Sequence, residues 1–414
     1  MSARRKFIKN STFGLWGLNT LFQKEKPMDA PPTPEDLANA PNDEILFQLI
    51  RKSLLLPEDL IYLNTGSLGP STRQVVGTVS AAMHELEANP VGNNWGSLGT
   101  RMEAVRGKVA DFIGASVEEI ILTRNTTEGI NLLGTCLDLQ PGDEILTTNH
   151  EHGGGENGLF YLAETKGAVV KQIEMPLAAE SAGQIVELVQ AGMTDRTRVV
   201  MLSHVSTITG MRMPFEQISA ITRPRNILLV ADGAQAPGQI RVDVDRLGVD
   251  LYSSSGHKWL MGPKETGFLY IRKAVQERIQ AVFTRNSNKA YSAASGTRNV
   301  ATIIGLGESL DLQQTIGIDK IEKRCRELAD YCADQLRGRP GLRIISPAAP
   351  ELKSGIVSIL LDEASNRAIF EKMREDNIII KLLPGYNALR FSLHIFNTRA
   401  DVDRMLGKLA EVMG

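Results

Sequence analysis

Lys258 stands in the run Ser253-Ser254-Ser255-Gly256-His257-Lys258-Trp259, about one strand-helix unit after Asp232. Asp232 closes the apolar stretch Asn226-Ile227-Leu228-Leu229-Val230-Ala231-Asp232. Taken singly, the lysine reads as a solvated loop cation and the aspartate as a turn former or helix cap. Together, an amine and a carboxylate on neighbouring strand ends suit a cofactor whose aldehyde needs an amine and whose ring nitrogen needs an acid. The chemistry such a pair supports lies at the α carbon of an amino acid.

Other polar runs also follow apolar strands. Arg124-Asn125-Thr126-Thr127-Glu128-Gly129 comes after a strand ending at Thr123 and opens a helix. Unpaired amides and the helix dipole there favour an anion, although the run alone also reads as a simple helix cap. Asn149-His150-Glu151-His152-Gly153-Gly154 follows a strand ending at Thr148. Two histidines two apart on a loop, with no cysteine cluster, make a weak zinc signal, and no metal site is expected. Ala388-Leu389-Arg390-Phe391-Ser392 places an arginine inside a further strand. In this order the motifs resemble the class V aminotransferase family of fold-type I pyridoxal phosphate enzymes, which contains cysteine desulfurases, selenocysteine lyases and isopenicillin N epimerases. The resemblance runs from about Tyr62 to the C-terminus.

The resemblance implies a role for each residue. Lys258 is expected to condense with the aldehyde of pyridoxal 5'-phosphate, Asp232 to pair with its ring nitrogen, and Gln235 to bond its phenolic oxygen. His152 matches a histidine that stacks on the ring. Thr126, Thr127, Ser255 and His257 match phosphate contacts. Thr297, in Ser295-Gly296-Thr297-Arg298-Asn299-Val300, matches a phosphate contact supplied by the second copy in a homodimer. Arg390 matches the arginine that grips the substrate carboxylate through two parallel bonds. Two departures narrow the activity. The stretch Leu382-Leu383-Pro384-Gly385-Tyr386-Asn387 lacks the desulfurase cysteine, and Thr207, expected as a cofactor contact, stands where the desulfurase pattern has an asparagine near the ring's oxygen. The expected function is that of an aminotransferase or epimerase acting at the α carbon, with a carbon-sulfur β-lyase as the alternative. A non-catalytic binding protein would have no need of both an amine nucleophile and an electron sink.

The elements that must position these residues alternate. From Val75 onward helical patterns separate short apolar strands at 119–123, 144–148, 169–173, 198–203, 227–232, 251–254 and 267–271. That alternation predicts an α/β fold with a mostly parallel, doubly wound sheet whose ligands bind beyond the carboxyl ends of the strands. After about Asn288 come helices at 300–315 and 318–337, then strands at 342–345, 356–360, 378–381 and 388–392 and a closing helix. The expected division is a large cofactor domain at 75–288 and a smaller α+β domain at 289–414. Residues 31–74 are expected to be a linker and a segment near the small domain, with 24–42 flexible.

The chain of 414 residues is long enough for two domains, and its net charge of -2 gives no electrostatic case for nucleic acid. Its three cysteines, Cys136, Cys325 and Cys332, lack metal-ligand spacing and read as small buried hydrophobes. No apolar run approaches the length of a membrane span. Ser2-Ala3-Arg4-Arg5-Lys6-Phe7-Ile8-Lys9, followed by a mildly apolar stretch, resembles a twin-arginine export signal over residues 1–30, which implies a periplasmic location. A basic disordered tail on a cytoplasmic protein is the other reading, because no Ala-x-Ala cleavage site follows.

Overall fold

The computed structural model describes residues 32–134, 136–279, 289 and 295–413, so the expected export segment lies outside the described residues. The first part of the chain carries strands β1 (Ile61–Tyr62), β2 (Ile120–Thr123), β3 (Glu144–Thr148), β4 (Val169–Ile173), β5 (Thr197–Ser203), β6 (Leu228–Asp232), β7 (Leu251–Ser255) and β8 (Gly267–Ile271). After the helices Val300–Ile316 and Ile318–Leu336 come β9 (Leu342–Ile344), β10 (Ile356–Leu361), β11 (Ile378–Ile379), β12 (Lys381–Leu383) and β13 (Ala388–Ser392).

Seven strands form one sheet in the order β2-β8-β7-β6-β5-β3-β4. β8 runs antiparallel to β2 and β7, and the other pairs are parallel. Every residue of β6 and β7 is buried, and Val199 to Leu202 of β5 are fully enclosed. Near-continuous apolar strands of this kind belong to sheets covered by helices on both faces, which leaves the strand ends for chemistry. This is the α/β architecture that the alternating sequence predicts.

A second, antiparallel sheet runs β12-β13-β10-β9. It packs with helices Ile318–Leu336, Asn366–Glu375 and Arg399–Met413 around a separate core that includes Leu328, Cys332, Ile359, Phe391 and Met405. β1 pairs in parallel with β11, and Asn64 bridges Ser392. These contacts draw the N-terminal segment onto the second core and hold it beside β13.

Three expectations differ from what is observed. Helix Val300–Ile316 joins the larger core, packed against helices Arg73–Ala88 and Ser97–Ile113, so the change of core does not fall at 288/289. The cause is its composition, with Val300, Ile303, Ile304, Leu306 and Leu310 all buried; a helix apolar on all sides needs the deeper core, where each such side chain contributes roughly 1.5–3 kcal/mol. The single strand expected at 378–381 is two, since β11 pairs with β1 while β12 pairs with β13. Within the expected flexible linker, Pro34–Ala38 is a one-turn helix closed by a Thr33/Asp36 capping box, with Leu37 buried. So short a helix leaves no periodic signal in the sequence.

Candidate active site

Asp232 ends β6 and Ser255 ends β7, on adjacent strands whose register places Asp232 opposite Ser253. Asp232 is buried, and its Oδ1 accepts from the Ala234 amide at 2.9 Å. Burial raises its pKa, while the Ala234 bond and the charges of Lys258 and His152 pull it back. Lys258 follows β7 on a turn, partly buried, and among the described residues its amine has no hydrogen-bond partner. Desolvation lowers its pKa to about 8; Asp232 opposes that shift, and Arg390 and Lys381 add to it. An ordinary lysine is almost wholly protonated at that pH, so this amine is available as a nucleophile and proton carrier.

His152 caps the helix Gly153–Lys166, its Nδ1 accepting from the Gly154 amide at 3.1 Å. Desolvation and then the Lys258 charge lower its pKa, against the pull of Asp232. The first turn of this helix presses on the acid: a Cβ on Gly155 would lie 3.3 Å from Asp232 Oδ2. Lys258, Asp232 and His152 therefore share one site. Glu151, the residue before His152, joins them without having been assigned a role from sequence. It is buried, with Oε1 accepting from Thr148 Oγ1 at 2.7 Å and Oε2 from Ser203 Oγ at 2.6 Å. The available signal is a carboxylate in a histidine-rich turn directly after a buried strand.

At the other side of the lysine turn, Asn125 rather than a threonine caps helix Thr126–Gly134, its Oδ1 accepting from the Glu128 amide at 2.8 Å. Thr126 and Ser255 are engaged with each other: the Thr126 amide donates to Ser255 Oγ at 2.9 Å, and the two hydroxyls lie 2.8 Å apart. Thr127 sits beside the His152 turn, where a Cβ on Gly154 would come 2.6 Å from its hydroxyl. His257 Nδ1 is buried without a partner, and burial followed by the charges of Lys258 and Lys264 lowers its pKa to about 4. A helix start, a free ring nitrogen and two coupled hydroxyls thus face one corner. Thr297 is apart from this group. It is exposed on the loop before helix Val300–Ile316 and makes none of the bonds that join the other expected residues.

Arg390 lies in β13 directly across from Lys381 and Ser358, and only 1% of it is exposed. One terminal nitrogen donates to Thr207 O at 2.9 Å and Thr207 Oγ1 at 2.6 Å; the other donates to Asn64 Oδ1 and Ser67 Oγ, both at 3.2 Å. All four acceptors are neutral, Nε has no partner, and desolvation lowers the pKa to about 10. Asn64 and Ser67 come from the N-terminal segment, and no local signal connects them with residue 390. Gly66 makes that approach possible, since a Cβ there would meet Ser392 Oγ at 2.8 Å, Gln235 Oε1 at 2.9 Å and an Arg390 nitrogen at 3.0 Å. Gln235, expected at the phenolic oxygen of the ring, is tied to protein groups. Its amide nitrogen donates to Gly66 O at 2.8 Å and Thr207 Oγ1 at 3.2 Å, and its oxygen accepts from Trp259 Nε1 at 2.8 Å. Both amide hydrogens are thus committed to protein acceptors, which makes Gln235 a brace between the N-terminal segment and Thr207.

None of the three cysteines belongs to this constellation. Cys136, Cys325 and Cys332 are buried and outside any disulfide, and burial pushes the Cys332 thiol up to about 12. Lys258, Asp232 and His152 are thus gathered at the strand ends, with a buried guanidinium close enough for its charge to act on the lysine.

Comparison with known proteins agrees with this geometry. The family model for class V aminotransferases matches residues 61–405. Isopenicillin N epimerase of Streptomyces clavuligerus is 28% identical over 389 residues, covering 88% of this chain and 98% of the relative. A cysteine desulfurase of Serratia proteamaculans is 33% identical over 341 residues, 75% of this chain and 82% of the relative. Among solved structures, the cystine C-S lyase C-DES in complex with cysteine persulfide superposes with a TM-score of 0.79 at 24% identity, over 86% of this chain and 98% of that one. The same lyase has been solved with glycine covalently linked to its PLP cofactor, at a TM-score of 0.78 and 24% identity, over 86% of this chain and 97% of that one. The family match spans both cores and every residue of the site described above, and the chain belongs to the class V aminotransferase family.

Proposed function

We propose that this chain is a pyridoxal 5'-phosphate enzyme acting at the α carbon of an amino acid or amino-acid derivative, in the manner of an aminotransferase or epimerase. The observation that carries the reading is Arg390: a buried guanidinium held only by neutral acceptors, whose charge acts on the Lys258 amine. A substrate carboxylate is the group that such a cation lacks. The donor set fits the cofactor as well, because among the described residues the Lys258 amine and the His257 Nδ1 have no partner and Asp232 is a buried acid whose charge acts on the lysine.

When bound, the cofactor supplies an aldehyde that joins to an amine and an electron-poor ring that acidifies the α carbon. Lys258 Nζ is the amine that would hold it, and the same amine would be the base for the α proton. Asp232 holds the proton of the ring nitrogen in place through its carboxylate. His152 covers the ring. Thr126, Thr127, Ser255 and His257 surround the phosphate, and exposed Thr297 serves the phosphate of a second copy in a homodimer. Thr207 positions Arg390 through two bonds and borders the ring's edge, where Gln235 reaches the cofactor only by releasing Gly66 or Thr207. Arg390 fixes the substrate by its carboxylate, so that the α hydrogen points at the lysine. With no cysteine in 382–387, persulfide transfer of the desulfurase kind is not part of this reading.

Product analysis of the loaded enzyme with a panel of L and D amino acids tests the proposal. Inversion at the α carbon supports epimerisation, and a keto acid with the amino group left on the cofactor supports transamination. Pyruvate with sulfide or a thiol from cysteine-type substrates supports the β-lyase alternative. A visible spectrum that responds to no amino acid sinks all three. Residues 1–30 are read as an export signal, and cell fractions holding the full-length chain only in the cytosol would refute that part. Among the described residues, no helix is long and apolar enough to cross a membrane.

A further inference from the structure

We propose that Glu151 is a positioning residue for Asp232: it holds its proton up to the neutral range, so that below that range the carboxyl pair carries one negative charge and Asp232 keeps it. The proposal rests on the reading of Asp232 as the partner of the ring nitrogen.

The geometry supports it from three sides. Glu151 is buried across the ends of β3 and β5, where it bonds Thr148 and Ser203, and Ser203 is the register partner of Asp232 on the neighbouring strand. The two carboxyls do not have equal support. Asp232 accepts from a backbone amide and feels the charges of Lys258 and His152, whereas Glu151 meets two hydroxyls and the Ser203 backbone but no cation among the described residues. Nearby cations favour the charged form of Asp232, and Glu151 lacks that support. Two carboxylates in one dry pocket repel, so the proton settles on the acid with less support. Burial, reinforced by the charge of Asp232, raises the Glu151 pKa to about 7 against the bonds from Ser203 and Thr148. As pH rises through that range, a second negative charge appears beside Asp232 and strengthens its hold on a proton.

The test uses the loaded enzyme and its E151Q variant. A glutamine offers one acceptor and one donor, which keeps both hydroxyl contacts and imitates the neutral acid. In wild type, infrared difference spectra between about pH 6 and about pH 9 should show the carbonyl band of a neutral carboxylic acid disappearing, and E151Q should lack that change. The visible band of the bound cofactor should show a lower step near pH 7 in wild type that is absent in E151Q. S203A offers a second route should E151Q fail to fold. It removes a bond to the charged form and should move the lower step upward by about half a pH unit or more. A lower step that persists unchanged in E151Q, or fails to move in S203A, overturns the proposal. So does a wild-type infrared spectrum without the acid band. Protein that never takes up the chromophore counts against the cofactor reading instead, while the infrared comparison still decides the state of Glu151.

Discussion

Replacing Arg390 with methionine should separate recognition from stability, because the structure sets two opposing terms on the fold and one on the substrate. The guanidinium sits well below its usual pKa, at about 10, through desolvation alone. A depression of that size is on the order of 3 kcal/mol of disfavoured charge, which R390M removes. The same change strips donors from Thr207, Asn64 and Ser67, at roughly 1–3 kcal/mol for the acceptors left dry. These terms nearly cancel, so the urea midpoint of R390M should stay close to that of wild type. The substrate has no such compensation. A carboxylate paired with a planar guanidinium gains two charge-assisted bonds of roughly 1.5–3 kcal/mol each, less what the neutral acceptors held before. A net loss of about 3–4 kcal/mol is about two to three decades in kcat/KM.

The assay is a two-by-two cycle: wild type and R390M are each given a substrate with its free carboxylate and the matching carboxamide. Wild type should prefer the carboxylate by about two to three decades, on the order of 3–4 kcal/mol, and R390M should show almost no preference. Equal losses on both substrates would mean that Arg390 does not read the carboxylate. A large fall in the urea midpoint would make it a structural strut.

Lys258 should take up the cofactor at a rate that climbs about tenfold per pH unit and flattens above about pH 8, because the neutral amine is the reactive form. A rate still climbing at about pH 10, or a borohydride-labelled peptide containing another lysine, would contradict the assignment. Gly69→Ala places a methyl 1.9 Å from the Lys258 carbonyl oxygen, a backbone atom on the anchoring turn. Overpacking of this kind costs about 1–3 kcal/mol and should lower both the urea midpoint and the uptake rate; a wild-type midpoint would show that the segment is not held against that turn. Glu151 should also leave a mark on stability. Its folded pKa is raised to about 7, above the ordinary 4.5, so its contribution is fully present below about pH 4.5 and is lost as pH rises through 7. Unfolding free energy of wild type relative to E151Q should therefore fall by up to about 3 kcal/mol between about pH 5 and about pH 8, and a constant difference would refute it.

The strand pattern is legible in the sequence because the sheet buries β5 and β6 around the apolar runs Val199-Val200-Met201-Leu202 and Leu228-Leu229-Val230-Ala231. Strand ends come with those runs, and Asp232 follows directly from them. Helix Val300–Ile316 is legible as a helix but not as part of the larger core, since periodicity reports an element's type and not which of two cores receives it. Pairings across hundreds of residues are harder still. Asn64 and Ser67 are brought to Arg390 by the pairing of β1 with β11, and the two-residue β1 has no sequence signal of its own.

Glu151 and Gln235 are obscured for a different reason. Both lie in stretches whose residue types stand out, yet what each does depends on how its hydrogen-bonding capacity is filled, and that is a property of neighbours rather than of type. Gln235 has two donors and spends both on Gly66 and Thr207, so it ties the N-terminal segment to the loop that bonds Arg390. Glu151 has two acceptor oxygens and spends both on hydroxyls, which leaves Asp232 as the pocket's better-supported carboxylate. Thr207 joins the two ends of the site: it accepts from Gln235 and from Arg390, so a change in either side chain must be felt by the other. On the proposal that Arg390 reads the substrate carboxylate, the N-terminal segment, Thr207 and Gln235 act on that selection as a unit, through hydrogen bonds that meet at Arg390 and Thr207.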